Sequence, residues 1–239
     1  GVMVGINSVV ARALGEGDRE QAARRASFGI VFAGVCGIAM GLLLWLAIEP
    51  IFTAMNAPPA LMPLIRAYMV PYAAGFPLLL IIMGFNGTLR GQGEARRTTT
   101  INVAYAAAHW ALVPVLVSGG FGLPALGMAG AAYATLIGWG FGVIVAYRLS
   151  RGTDLPLDLA ALRGGGVIEP ARAIAKVGLP AALSNAINPL GLAVLTALVA
   201  VESEAAVAGF GAAGRLQSFV IVPLLGLSGA IGAIVGQNL

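Results

Sequence analysis

Residues Ala26–Ala47 read ASFGIVFAGVCGIAMGLLLWLA, with Arg24 and Arg25 immediately before the run and Glu49 just after it. No side chain in the run is charged, and its length meets the roughly 20 apolar residues that a helix needs to cross a bilayer. Lipid offers the backbone no hydrogen-bond partner, so such a run satisfies its own N–H and C=O groups as a helix. Five more runs of this kind follow, at Ala67–Leu89, Ile101–Val117, Gly127–Tyr147, Val177–Val201 and Ala206–Gly236. Gly1–Ala13 is equally apolar but about half a span long. It reads as the tail of a helix that starts upstream. Gly1 is not an initiator Met, and the opening residues lack the basic region and small-residue cleavage site of a signal peptide, so the sequence is expected to begin inside a longer protein.

The composition agrees with these runs. Hydrophobic residues make up 59% of the chain and charged residues 10%, with a mean hydropathy of +0.90, where soluble domains carry about 25% charge. A pI of about 9.7 suggests nucleic acid at first sight. The basic residues, however, sit in short clusters between apolar runs, without the basic stripe and interleaved aromatics that such binding needs. The expected fold class is therefore an all-α, polytopic membrane helix bundle with the lipid bilayer as its partner and no nucleic acid.

Charge also orients the bundle. Arg12, Arg19, Arg24 and Arg25 flank the first connection, Arg90, Arg96 and Arg97 the third, and Arg148, Arg151, Arg163, Arg172 and Lys176 the fifth. The second connection has Arg66 alone, and the fourth (Ser118–Leu126) and sixth (Glu202–Glu204) have no Lys or Arg. Basic residues stay on the cytoplasmic side, so odd connections are cytoplasmic and even ones external, an alternation that requires one crossing per run. The fifth connection is polar and rich in Gly and Pro, with Asp154, Pro156, Asp158 and Gly164–Gly166. It divides the chain into a first lobe (1–149), a linker (150–169) and the start of a second lobe (170–239). Gly1–Leu14 aligns without gaps on Gly226–Leu239, with Gly1/Gly226, Ile6/Ile231, Val10/Val235 and Leu14/Leu239 identical. That separation of about 225 residues, roughly six helices with ordinary loops, predicts two parallel halves and about twelve helices in the intact protein.

Catalytic constellations are missing from the sequence. Gly15-Glu16-Gly17-Asp18 has the GxGD spacing of intramembrane aspartyl proteases, but no span holds a second Asp to face Asp18. The one histidine, His109, has no acid in any span to orient it for Ser-His-Asp chemistry. Cys36 has no second cysteine for a disulfide or a metal site, so no metal and no enzyme activity are expected. What remains is transport. Gly37-x-x-x-Gly41, Gly138-x-x-x-Gly142 and Gly226, Gly229, Gly232 and Gly236 let helices approach closely, and Pro71, Pro77, Pro114, Pro180, Pro189 and Pro223 permit kinks. Polar groups at membrane depth are costly and so point to function. They are Asn86, Asn102, Tyr105, His109, Thr135, Ser184, Asn185, Asn188, Thr196, Arg215 and Gln217. Asn102, His109, Thr135, Asn188, Arg215 and Gln217 are the candidates for a substrate and cation pathway, with His109 able to serve a proton step.

Several short motifs resemble the multidrug and toxic compound extrusion (MATE) family. They are Ala11-Arg12-Ala13-Leu14-Gly15-Glu16-Gly17-Asp18, Leu89-Arg90-Gly91-Gln92-Gly93-Glu94-Ala95-Arg96, the stretch Gly122–Ala132, Gly178-Leu179-Pro180, Ala206–Gly211 through Arg215, and Gly236-Gln237-Asn238-Leu239. The resemblance implies a segment from the end of the second helix through the eighth of a twelve-helix antiporter in the bacterial inner membrane. It also implies export of small cationic, amphipathic compounds driven by H+ or Na+, with no cofactor beyond that ion. Two departures stand out. An acid often found eight positions after the seventh-helix Pro is here Asn188, and an Asn followed by an Asp in the fifth helix is here Asn102 and His109 without an acid. The alternative from the same superfamily is a flippase for lipid-linked oligosaccharides, whose cavity would carry more Arg and Lys for pyrophosphate than the single in-span Arg215. An intramembrane enzyme would need two convergent titratable groups, and a channel a filter segment. Neither is visible.

Overall fold

In the computed structural model, residues 1–54, 59–162, 166–200, 203, 205–206 and 208–219 are described. They fall into two compact units, Gly1–Leu183 and the residues from Ser184 onward. The first unit contains α1 (Val2–Gly15), α2 (Arg19–Ala54), α3 (Met62–Gly91), α4 (Ala95–Ser118), α5 (Gly127–Ser150) and the first half of α6 (Ile168–Ala200), with 3-10 turns at Pro59–Leu61 and Ala160–Leu162. Among the described residues five helical segments are long and apolar enough to cross a membrane, Arg19–Ala54, Pro59–Gly91, Ala95–Ser118, Gly127–Ser150 and Ile168–Thr196. They contain the first four expected spans and cover the fifth, Val177–Val201, as far as Thr196. The sixth, Ala206–Gly236, is helical over 208–219; its remainder, with the repeat at Gly226–Leu239 and the glycines from Gly226 to Gly236, lies outside the described residues.

The helices run past the apolar windows at their basic ends. Hydropathy ends a span where charge begins, but Glu, Gln, Lys and Arg are good helix formers, so α2 starts at Arg19 and takes in Arg24 and Arg25. Likewise α6 starts at Ile168, with Pro170 tolerated in its first turn. Most of the basic residues assigned to connections therefore sit on helix ends, and the first and third connections shrink to tight turns.

Those two turns are the same structure. In the first, Gly17 N–H donates to the Leu14 carbonyl and Asp18 N–H to the Ala13 carbonyl, both at 3.1 Å. In the third, Gly93 N–H donates to Arg90 at 3.0 Å and Glu94 N–H to Leu89 at 2.8 Å. This is the paired bonding of a Schellman cap, with Gly17 and Gly93 at φ +76° and +80°. The acid that follows then serves the next helix. Asp18 Oδ1 accepts the Gln21 N–H at 2.8 Å as an N-cap of α2, whereas Glu94 turns to the Arg97 guanidinium, 3.0 Å away. A Cβ on Gly17 or Gly93 would meet nothing within 4 Å. Gly93→Ala is therefore expected to cost about 1 kcal/mol through backbone strain alone, read as a lowered apparent melting temperature in detergent.

Inside the first unit, α2 packs along α3, α5 packs on both α3 and α4, and α1 lies against α2 and α3. One core cluster joins Ile6, Val10 and Ala13 of α1 to Ala22 and Ala26 of α2 and Leu80 of α3. The other joins Ile30 to Ile82, Phe85 and Leu89, Ile101 and Trp139. Both quoted Gly-x-x-x-Gly pairs with described positions lie at close approaches. Gly37 and Gly41 face α3, and Gly142 faces Ile82 and Tyr105.

The fifth connection is more ordered than its polar, Pro-containing sequence suggests. Leu155 is 2% exposed and belongs to the α1–α2–α3 core cluster, while Leu157 packs against the other. Leu155 N–H donates to Gln92 Oε1 at 3.3 Å and Asp158 N–H to Ser27 Oγ at 3.0 Å. The first, third and fifth connections are thereby gathered at one end of the bundle. At the other end, Glu49 of α2 pairs with Arg66 of α3, so the lone basic residue of the second connection is matched by an acid.

In the second unit, α6 continues to Ala200, and Ser203 Oγ accepts the Ala206 N–H at 3.1 Å as a helix start.

Candidate functional site

Asn102, Tyr105 and His109 share one face of α4, because residues three and four apart are helical neighbours. α5 brings Thr135 to that face. Small residues permit the approach: a Cβ on Gly138 would lie 3.1 Å from the Tyr105 carbonyl oxygen and 3.2 Å from His109 Cβ, and one on Gly142 would lie 2.9 Å from Tyr105 Cβ.

Thr135 Oγ1 lies 3.3 Å from His109 Nδ1 and donates to the Ala131 carbonyl at 3.1 Å. A hydroxyl has one proton to give. When it goes to Ala131, His109 carries a proton on Nδ1 and donates it to Thr135. When it goes to His109, the imidazole is the Nε2–H tautomer and the Ala131 bond is given up. The pair thus has two hydrogen-bond arrangements, one for each tautomer of the neutral ring.

Two turns earlier on α4, roughly 10 Å along the axis, Asn102 Oδ1 accepts a hydrogen bond from Asn86 Nδ2 at 3.0 Å. Asn86 comes from the buried face of α3 and is 1% exposed, and its own Oδ1 is buried with no hydrogen-bond partner. An unsatisfied acceptor in such a place is costly. Among the described residues the only other buried side-chain atom in that condition is Arg25 Nε. Arg25 otherwise reaches the Val9 carbonyl at 3.5 Å and Glu169 at 3.7 Å.

The remaining candidates belong to the second unit. Asn188 is exposed on α6, and Arg215 and Gln217 are exposed on the helical stretch 208–219. Two residues apart, Arg215 and Gln217 point to different faces. Thus the structure pairs His109 with Thr135 and gives Asn102 a partner that its sequence position did not identify, while Asn188, Arg215 and Gln217 belong to the second unit. Among the described residues no cluster of three His, Cys, Asp or Glu forms a metal site.

Arg97 has a role that charge counting missed. Its Nη1 donates to the Leu149 carbonyl at 2.6 Å, its Nη2 to the Gly152 carbonyl at 2.9 Å and its Nε to Glu94 at 3.0 Å. One guanidinium therefore caps the C-terminal carbonyls of α5 from the first turn of α4.

The MatE family model matches residues 1–115. A FAD transporter of Shewanella oneidensis is 31% identical over 246 aligned positions, covering 100% of this chain and 53% of the relative. A probable multidrug resistance protein NorM of Deinococcus radiodurans is 30% identical over 245, covering 100% and 52%. Among solved structures, the inward-facing conformation of a multidrug resistance MATE family transporter of the MOP superfamily matches with a TM-score of 0.81 and 28% identity, over 99% of this chain and 53% of that one. A MOP superfamily transporter from Pyrococcus furiosus, described as having a binding pocket of reverse polarity, matches with a TM-score of 0.80 and 29% identity, over 94% and 49%. The chain spans about half the length of the curated relatives it matches.

Proposed function

Because this chain belongs to the MATE family of multi-pass membrane transporters, which are not enzymes, we propose that it forms part of a secondary active transporter that exports cationic, amphipathic compounds across a bacterial inner membrane. In the intact protein 1–149 belongs to one lobe and 170–239 opens the second, with the substrate path between the lobes. The observation that carries this reading is a membrane bundle matched over 99% of its length by 53% of a multidrug transporter. The multidrug resistance names of several relatives support the substrate class.

Protons are the favoured coupling ion. The His109–Thr135 pair can hold a proton inside the bundle, and no Asp or Glu lies in the interior of a described span. In proteoliposomes holding the intact protein, an imposed pH gradient is expected to drive uptake of a fluorescent organic cation, and His109→Gln to slow that flux about tenfold while dye binding is retained. A flux that follows a sodium gradient and ignores the His109 substitution would remove the proton reading. Loss of all gradient-driven flux in the parent, across a broad panel of cations, would remove the export reading itself.

A second reading has its own support. The FAD transporter relative handles a phosphate-bearing anion, and this chain contributes amides, hydroxyls and Arg215 to its spans where a cation-binding wall would carry carboxylates. The two readings make opposite demands on charge. Parallel assays of labelled FAD and a cationic dye in the same vesicles separate them.

A further inference from the structure

At the end of the bundle opposite the Arg-rich turns, α4 and α5 are joined by residues 119–126, GGFGLPAL, which carry no charge. Gly120 and Leu123 exchange both of their backbone bonds: Leu123 N–H donates to the Gly120 carbonyl at 3.0 Å, and Gly120 N–H to the Leu123 carbonyl at 3.3 Å. Between them Phe121 and Gly122 have φ of +52° and +83°, the signs of a two-residue type I′ turn. The first corner of such a turn suits Asn, Asp or Gly. Phe has a Cβ that crowds the following carbonyl and no polar group to bond its own backbone.

Among the described residues Phe121 is the only non-glycine with positive φ, and none of them packs on its ring, which leaves the residue 96% exposed. An unsuited residue thus occupies the strained corner with no internal contact to offset the strain. Gly or Asn would make the turn at less cost if the turn were all that mattered. The compensating contact comes from beyond the described residues.

The flanking helices indicate what makes that contact. α4 has 24 residues, about 36 Å at 1.5 Å each, against about 30 Å of hydrocarbon. With Arg96 and Arg97 at one headgroup region, Ser118 reaches the other, and the turn lies just beyond it. Leu123, Leu126 and Met128 are exposed beside Phe121, and they continue into the exposed apolar face of α5 at Ile137, Phe141 and Ile144. A loop projecting into water is ordinarily polar. This one extends the lipid-facing surface.

We infer that the Gly119–Leu126 turn is a membrane-interface anchor, whose strained corner holds the Phe121 ring in the headgroup and upper acyl region of the leaflet opposite the Arg-rich turns. Apolar side chains such as Phe and Leu bury into the headgroup–acyl boundary from interfacial segments, and burial of the ring there offsets the backbone strain. The anchor fixes the α4–α5 hairpin, which carries His109 and Thr135, at a set height in the bilayer.

Cys36 is the single cysteine, so a Cys36→Ala, Phe121→Cys protein takes one environment-sensitive fluorophore at the tip. In phosphatidylcholine and phosphatidylglycerol vesicles its emission is expected to be blue-shifted, and a lipid spin-labelled near the top of its acyl chain is expected to quench it at least twofold more strongly than aqueous iodide does. Quenching by iodide and not by the lipid would put the ring in water and overturn the inference. Protection from both would mean that protein covers the turn, which overturns it equally. Should labelled F121C fail to fold, F121W answers the same two quenchers, read by difference against the parent with its native Trp45, Trp110 and Trp139.

Discussion

Replacing Gly41 with Leu is expected to push α2 and α3 apart and to lower stability by about 3 kcal/mol or more. A Cβ on Gly41 would lie 2.5 Å from the Ala73 carbonyl oxygen, and one on Gly37, a turn earlier, 2.6 Å from Pro77 Cα and 2.8 Å from the Phe76 carbonyl oxygen. All of these are backbone atoms, so no rotamer change relieves the overlap. The Ala73 carbonyl has a particular need for this neighbour. Pro77 has no N–H to offer it, so its helical bond is missing, and the Gly41 Cα–H is the group placed against it. The control is Gly140→Ala on α5, where a Cβ meets nothing within 4 Å and the change from Gly favours the helix. In matched detergent preparations Gly41→Leu is expected to melt well below the parent and to elute as aggregate, with Gly41→Ala between them and Gly140→Ala at or slightly above the parent. If Gly41→Leu melts with the parent, the α2–α3 approach described above is wrong.

Arg97→Ala is expected to cost about 3 kcal/mol. The substitution removes two charge-assisted bonds to main-chain carbonyls and the ion pair to Glu94, contacts worth about 1.5–3 kcal/mol each when well formed. The estimate is discounted because the Arg97 side chain is 29% exposed. The Leu149 and Gly152 carbonyls lose their donors, so the damage should centre on the end of α5 and the segment that follows. Limited proteolysis is the readout, with faster cleavage between Arg151 and Leu162 in the variant. Arg97→Lys keeps the charge but replaces a planar fork by a single point, and it is expected to recover less than half of the loss. Equal protection of Arg97→Lys and the parent would reduce the residue to the topological charge that its sequence position suggests.

The helices were legible because runs such as Ala26–Ala47 are apolar without interruption, and the hydrocarbon thickness sets their minimum length. Their ends were not, since hydropathy treats Arg19–Arg25 as loop while the Schellman turn and the Asp18 cap start the helix there. The packing of the linker was not legible for a related reason. Leu155 and Leu157 stand among Asp and Pro with no helical periodicity to mark them, and only the folded chain brings Gln92 to the Leu155 amide and Ser27 to that of Asp158. Within the site, polar residue types at membrane depth were visible, so Asn102, His109 and Thr135 could be named. Which of them pair depends on how α3, α4 and α5 cross, and no spacing along the chain encodes that. Asn86 is the clearest case: it was noticed as polar, and its tie to Asn102 emerged only from packing.

The length of α2 has a consequence for the membrane around the protein. A shaft of 36 residues, about 54 Å long, is mounted in a film whose oily layer is about 30 Å deep, so it must lean or overhang. Its two ends are bolted to different neighbours, through Glu49 and Arg66 at one rim and through Arg25 and Glu169 at the other. Thinning or thickening the lipid would alter the lean of this one rod and load both pairs together.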